Sequence, residues 1–311
     1  MKAILRSYFY RLFRDKLFYI SIGIVFVLGL LIGVGFRAIQ SNSDSNQPYF
    51  AYGLLIGLNG GDFLGGGTVP WIDLLFFTVF GAIRYRKETV SGAMRNYIVS
   101  GYSRKQIFHS LYLGNLVYYL FTLLALCLGS CLPYLGTPFG IAGDQIGTYF
   151  GVCGLSLLTS LAFMTFAYFT FVLLQGHGFS GSMAIIIYAV LSLFGTIMIL
   201  VVSLNLETVD PGLAKALFVI DGILPPGNRS ALASALTGNG NVTLGAVPGG
   251  LYLSAFPEAL PAGSHTYEVI AAIRSLNWEA INIATSIVFS VVIGVGSYLL
   301  GFFINNKRDL K

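Results

Sequence analysis

Few side chains in this sequence could do chemistry, and each needs a partner. Asp73 is the one carboxylate inside the apolar run 63–83. It precedes Arg84 by eleven residues, about 16 Å along a helix at 1.5 Å per residue. A carboxylate that deep in an apolar run is costly and faces a cavity or a partner. The competing placement has the run start late, which leaves Asp73 near the outer interface. The tetrapeptide Gly178-Phe179-Ser180-Gly181 has the Gly-x-Ser-Gly form of a serine nucleophile, which needs a base within hydrogen-bond reach. Of the three histidines, His177 is too close in sequence to approach from a facing helix. His109 and His265 fall at span edges or in loops, so a Gly/Ser turn is the better reading. Cys127, Cys131 and Cys153 lie in apolar segments with no Cys-x-x-Cys or Cys/His spacing, and read as small buried hydrophobes. Without His-Glu-x-x-His or Gly-x(4)-Gly-Lys-Ser/Thr, the chain has no metal site, no catalytic residues and no ATPase of its own.

Hydrophobic residues make up 55% of the 311 and charged ones 10%, with mean hydropathy +0.76. Soluble domains carry about 25% charged residues, so these proportions exclude an ordinary water-soluble globule. The net charge of +5 does not indicate nucleic acid, because the bases sit beside apolar spans where anionic lipid accounts for them. Apolar segments at about 17–36, 63–83, 107–132, 148–174, 181–204 and 280–304 each match a hydrocarbon core of roughly 30 Å. They predict an all-α integral membrane protein with six transmembrane helices spread over 17–311. Ahead of them, residues 1–16 place Ile4, Leu5, Tyr8, Phe9, Leu12 and Phe13 at helical spacing, with bases mostly on the other face. That pattern predicts an uncleaved amphipathic helix in the headgroup plane. Residues 51–58 form a short apolar patch expected on the outer surface. Residues 205–278, rich in Pro and Gly, read as a large outer loop or small ectodomain between helices five and six.

The longest cationic interruption is 84–110, with Arg84, Arg86, Lys87, Arg95, Arg104 and Lys105 against Glu88. Five bases lie in the first sixteen residues, six here and three in the last five, fourteen of eighteen in all. The positive-inside bias then puts both termini and this loop in the cytoplasm, and Arg37, Lys215, Arg229 and Arg274 outside. Within the loop, 87–99 has helical spacing of Val90, Met94, Tyr97 and Ile98, Gly101 is a stop, and Ser103-x-x-Gln106 has the capping-box form.

Two stretches carry a family resemblance. Glu88-Thr89, Gly92-Ala93-Met94-Arg95-Asn96, Ser100-Gly101-Tyr102-Ser103-Arg104 and Ile107 resemble the segment between spans two and three in permeases of type-2 ABC exporters. The tail Phe302-Phe303…Lys307-Arg308-Asp309-Leu310 is similar to that family's ending. The resemblance spans the chain, although 205–278 is longer than the minimal pattern. It implies a multi-pass plasma-membrane subunit that pairs with a second permease, identical or homologous, and with separate ATPase subunits that bind ATP and Mg. Helix 87–99 would be the coupling helix, with Glu88 and Arg95 as polar anchors among the ATPase-coupling residues Glu88, Thr89, Gly92, Met94, Arg95, Tyr97, Gly101, Ser103 and Arg104. Spans two and five flank the translocation path in that family, which would put Asp73 on the path. The cargo would be amphipathic: a peptide, an antibiotic or a lipid-like molecule. The alternative class is a stand-alone ion- or proton-coupled carrier, which usually shows internal repeats with matching broken helices. No second copy of the Gly/Pro-rich second span is visible.

Overall fold

The computed structural model describes residues 2–41, 49–59, 72–174, 180–236, 241–247 and 263–307. Among these, every regular element is a helix: α1 (Lys2–Leu12), α2 (Lys16–Ser41), α3 (Phe50–Leu58), α4 (Ile72–Val90), α5 (Ala93–Val99) and α6 (Arg104–Cys131). They are followed by α7 (Ile146–Leu173), α8 (Ser180–Leu204), α9 (Pro211–Ile223), α10 (Pro225–Ala233) and α11 (His265–Arg274). Helix α12 (Trp278–Phe289) passes through one π-helical segment, Ser290–Val295, into α13 (Gly296–Lys307).

Five of these segments are long and apolar enough to cross a membrane: Lys16–Ala38, Arg104–Tyr134, Gly143–Leu173, Ser182–Leu204 and Trp278–Lys307. The chain is a multi-pass integral membrane protein. Its outward surface fits that solvent, since Val27, Leu31, Leu124, Leu128, Leu193 and Val292 are all exposed on spanning helices. The span expected over 63–83 lies within the described residues only from 72 onward. There α4 contributes twelve residues before Arg84, ten of them apolar, and continues in the same helix to Val90.

Close helix contact is built from small residues, since apolar area gives little drive between helices already in lipid. Gly29 and Gly33 of α2 press on the backbone of α6 at Leu126 and Ser130, and Gly129 of α6 returns the contact at Phe26. A Cβ on Gly129 would lie 2.3 Å from the Phe26 carbonyl oxygen, so no side chain fits without separating the helices. The 51–58 patch, at the end of the bundle away from the bases, is packed into it rather than lying free. It forms α3, whose Gly53 and Gly57 sit on Ser130 and Cys127 of α6, and whose Ala51, Leu55 and Ile56 are buried. Ser130 Oγ donates to the Gly53 carbonyl at 2.7 Å, which ties α3 to the bundle.

The two ends of the bundle differ in charge. At the basic end, α1, the 84–110 segment and the end of α13 meet; Lys105 lies over Phe302, and Asn305 Nδ2 donates to the Arg104 carbonyl at 3.4 Å. At the opposite end, α3, the turn after α6 and the helices of 205–278 gather; Tyr149 OH donates to the Ala51 carbonyl and Val242 N–H to Gln145. Replacing Gly129 by Val should lower thermal stability in detergent by roughly 1–3 kcal/mol, because the added carbons meet backbone. Gly151→Val, at a glycine with open space around it, serves as the neutral control; equal melting shifts for the two would refute the close α2–α6 seam.

Candidate functional site

Among the described residues, the apolar interior holds one charged pair. Asp73, in the first turn of α4, and Arg229, in α10, are both 0% exposed, with Arg229 Nη2 3.4 Å from each carboxylate oxygen. Tyr119 of α6 donates its hydroxyl to Asp73 Oδ2 at 2.6 Å. The carboxylate therefore has a charge partner and a strong neutral donor, and its surroundings are protein. Arg229 is less satisfied, since its Nε and Nη1 are buried without a hydrogen-bond partner among the described residues.

The neighbouring residue extends the site to the last span. Asn228 Nδ2 donates to Thr285 Oγ1 at 2.9 Å, and Ser286 Oγ donates to Asn228 Oδ1 at 2.7 Å. One short helix thus joins α4 through Arg229 and α12 through Asn228. Asn282 adds a further tie, donating to the carbonyls of Leu244 and Ala246. Helix α10 can reach this position because α9 folds back along α8. Gly195 leaves room there for the Asp221 carboxylate, where a Cβ would lie 2.2 Å from Oδ1. The region expected to be an outer loop thus carries three helices, α9, α10 and α11, among its described residues, and part of it enters the bundle. Its own core contains Phe218, Val269, Ile270 and Ile273, continuous with Ile199 and Val202 of α8.

At the basic end, α1 is fastened to the 84–110 segment. Its stripe of Ile4, Tyr8 and Leu12 is buried against protein, with the Tyr8 ring seated on Gly114 of α6. Burial pushes the Tyr8 hydroxyl up to about 12. Arg11 Nη2 lies 2.8 Å from Glu88 and donates to Tyr97 OH at 2.5 Å; Lys87 lies 3.3 Å from Asp15. Burial raises the Glu88 carboxyl more than Arg11 and Arg84 lower it.

The expected helix over 87–99 is two helices. Helix α4 runs through 87–90, Ser91 and Gly92 form a turn with Gly92 at φ +74°, and α5 begins at Ala93. A left-handed residue cannot continue a right-handed helix, and glycine is the residue that tolerates it. Gly101 ends the segment at φ +87°, and the Ser103–Gln106 capping box starts α6. Of the sequence-derived coupling residues, Glu88, Tyr97 and Met94 face inward, while Arg95, Gly101 and Ser103 are exposed. Thr89 caps back on α4 through the Arg86 carbonyl, and Arg104 Nη1 reaches the Asn306 carbonyl. Arg95 is exposed whereas Glu88 pairs with Arg11, so the two expected polar anchors have different surroundings. Asn96, Val90 at 76% and Val99 at 80% are exposed as well. The Gly178–Gly181 motif begins outside the described residues.

No family model, curated protein or solved structure matches this chain.

Arg229 is the site residue that sequence reading missed. An acid inside an apolar run demands a cation, and residues 205–278 offer only Lys215, Arg229 and Arg274. Replacing Asp73 by Asn or Arg229 by Gln should each cost about 3–5 kcal/mol, since each strands a buried charge. The double replacement should cost much less than their sum. Strict additivity in a double-mutant cycle of detergent unfolding would show the pair is not coupled.

Proposed function

We propose that this chain is the membrane-spanning permease subunit of an ATP-driven exporter, powered by separate ATPase subunits and paired with a second permease. It acts in the plasma membrane, with the basic end and both termini cytoplasmic. Six crossings fit this reading. The N-terminal helix, the 84–110 segment and the end of α13 share one end of the bundle, and a chain that starts and finishes on one side crosses an even number of times. On this reading α4 belongs to the sixth crossing.

The observation that carries the proposal is α5. Its inner face is fixed through Ala93, Met94 and Tyr97, while Arg95, Asn96 and Val99 project away. Large apolar side chains left bare beside a cation on a polar tip suit a groove in a partner protein. A push on α5 passes through the Gly92 turn into α4, whose other end carries Asp73. On this reading the Asp73–Arg229 pair closes the path at the opposite end, and movement of α4 opens it. The cargo is an amphipathic molecule that enters where α10 withdraws.

A buried ionisable pair also favours a second reading, a proton-coupled carrier working alone. Reconstitution separates the two. With its P-loop ATPase in proteoliposomes, the chain should move cargo only with ATP, and Val99→Glu should reduce ATPase association by about tenfold or more by placing a charge in the contact. Transport driven by an ion gradient without any ATPase would overturn the exporter reading in favour of the carrier. Asp73→Asn should change transport, and unchanged transport would remove Asp73 from the path.

A further inference from the structure

Beside α1 and α4 the basic end holds a cavity of about 600 Å³ lined by Arg11, Asp15, Arg84, Arg86, Lys87 and Glu88, with Ile83, Val90 and Ser91 on its edge. Its charges do not balance. Arg11 is matched to Glu88 and Lys87 to Asp15, which accounts for both carboxylates and two of the four cations. Arg84 and Arg86 remain. Arg86 is exposed, whereas Arg84 is 6% exposed, held between the rings of Tyr8 at 5.2 Å and Tyr118 at 4.9 Å. Its Nη1 is buried without a hydrogen-bond partner among the described residues. Ring faces hold the guanidinium in place but leave in-plane donors free, and buried donors in folded proteins are nearly always satisfied.

We propose that this cavity binds the phosphate of an anionic glycerophospholipid. A guanidinium presents paired donors that match phosphate oxygens, and a second cation beside it selects for a formal negative charge. The volume suits a headgroup. The edge points to a lipid rather than a free anion. Ile83 and Val79 lie one turn apart on α4, both exposed, and form an apolar track running from the cavity toward the membrane interior. The level is also right, because the cavity lies where the amphipathic α1 meets the charged end of α4. A bound lipid would then brace the α1–α4 seam on which the position of α5 depends.

The test is native mass spectrometry of the purified full chain in mixed micelles, with phosphatidylglycerol or phosphatidylcholine added. One phosphatidylglycerol per chain should persist through delipidation, and phosphatidylcholine should not. Arg86→Gln, at an exposed position that leaves folding intact, should weaken retention about fivefold, and Arg84→Gln should weaken it further. Arg95→Gln, an exposed cation outside the cavity, should leave it unchanged. Equal retention of the two lipids, or retention indifferent to Arg86→Gln, would overturn the proposal. So would inorganic phosphate binding the protein and displacing phosphatidylglycerol, which would assign the cavity to a free phosphate.

Discussion

A carboxylate and a guanidinium, both shut off from solvent inside an apolar bundle, place the strongest constraint on how this protein is assembled. Ion pairs in such surroundings give little net stability, because desolvation offsets attraction, yet separating the partners in place is expensive. Asp73 and Arg229 therefore act less as glue than as a specification. Helix α10 has to sit where Arg229 can reach α4, and Tyr119 of α6 has to face the same point. Asn228, one residue earlier, commits α10 to the last span at the same time. Segments separated by more than 150 residues are thus fixed to one register.

The opposite end of α4 obeys a different rule. There the contacts are ion pairs at the surface, individually weak, combined with the apolar stripe of α1 and the ring of Tyr8 seated on Gly114. Helix α4 is continuous from Asp73 to Val90, so a displacement at the Gly92 turn has a rigid body to act on. The proposed mechanism uses that continuity: one end of α4 takes a push and the other holds the pair that closes the path. The π-helical segment after Ser290 lies against α7, bringing Gly294 onto Ala162 and opening a cleft of about 350 Å³ beside Tyr112 and Thr165. Such widened turns often mark places where a helix has two packings, which makes the last span the other element suited to move.

Much of this architecture was legible from residue order, for physical reasons that can be named. Segments such as 107–132 and 148–174 are apolar over a membrane's thickness and stop at polar residues or proline, so their helices begin and end within a few residues of the sequence estimate. Gly101 and the Ser103–Gln106 box are local signals, and local structure obeyed them. Three features were not legible. The break at Ser91–Gly92 was hidden because the apolar spacing of Val90, Met94 and Tyr97 suits one continuous helix, while a single glycine allows two. Helix α3 is a short apolar stretch whose burial depends on glycines matching small residues of α6, a relation between distant segments. Arg229 was counted as an outer base because charge counting sees only a side of the membrane. The demand made by Asp73 for a cation was visible, but not which of three cations would meet it.

The most direct test of the central claim is the chemical accessibility of Asp73 in the proposed complex with a separate ATPase. Carbodiimide labelling of carboxylates, read by peptide mass spectrometry, should leave Asp73 unmodified at rest, as its full burial against Arg229 and Tyr119 requires. During ATP turnover the label should appear on Asp73 if movement of α4 parts the pair. Protection that persists unchanged while cargo is being moved would contradict the claim that this pair closes the path.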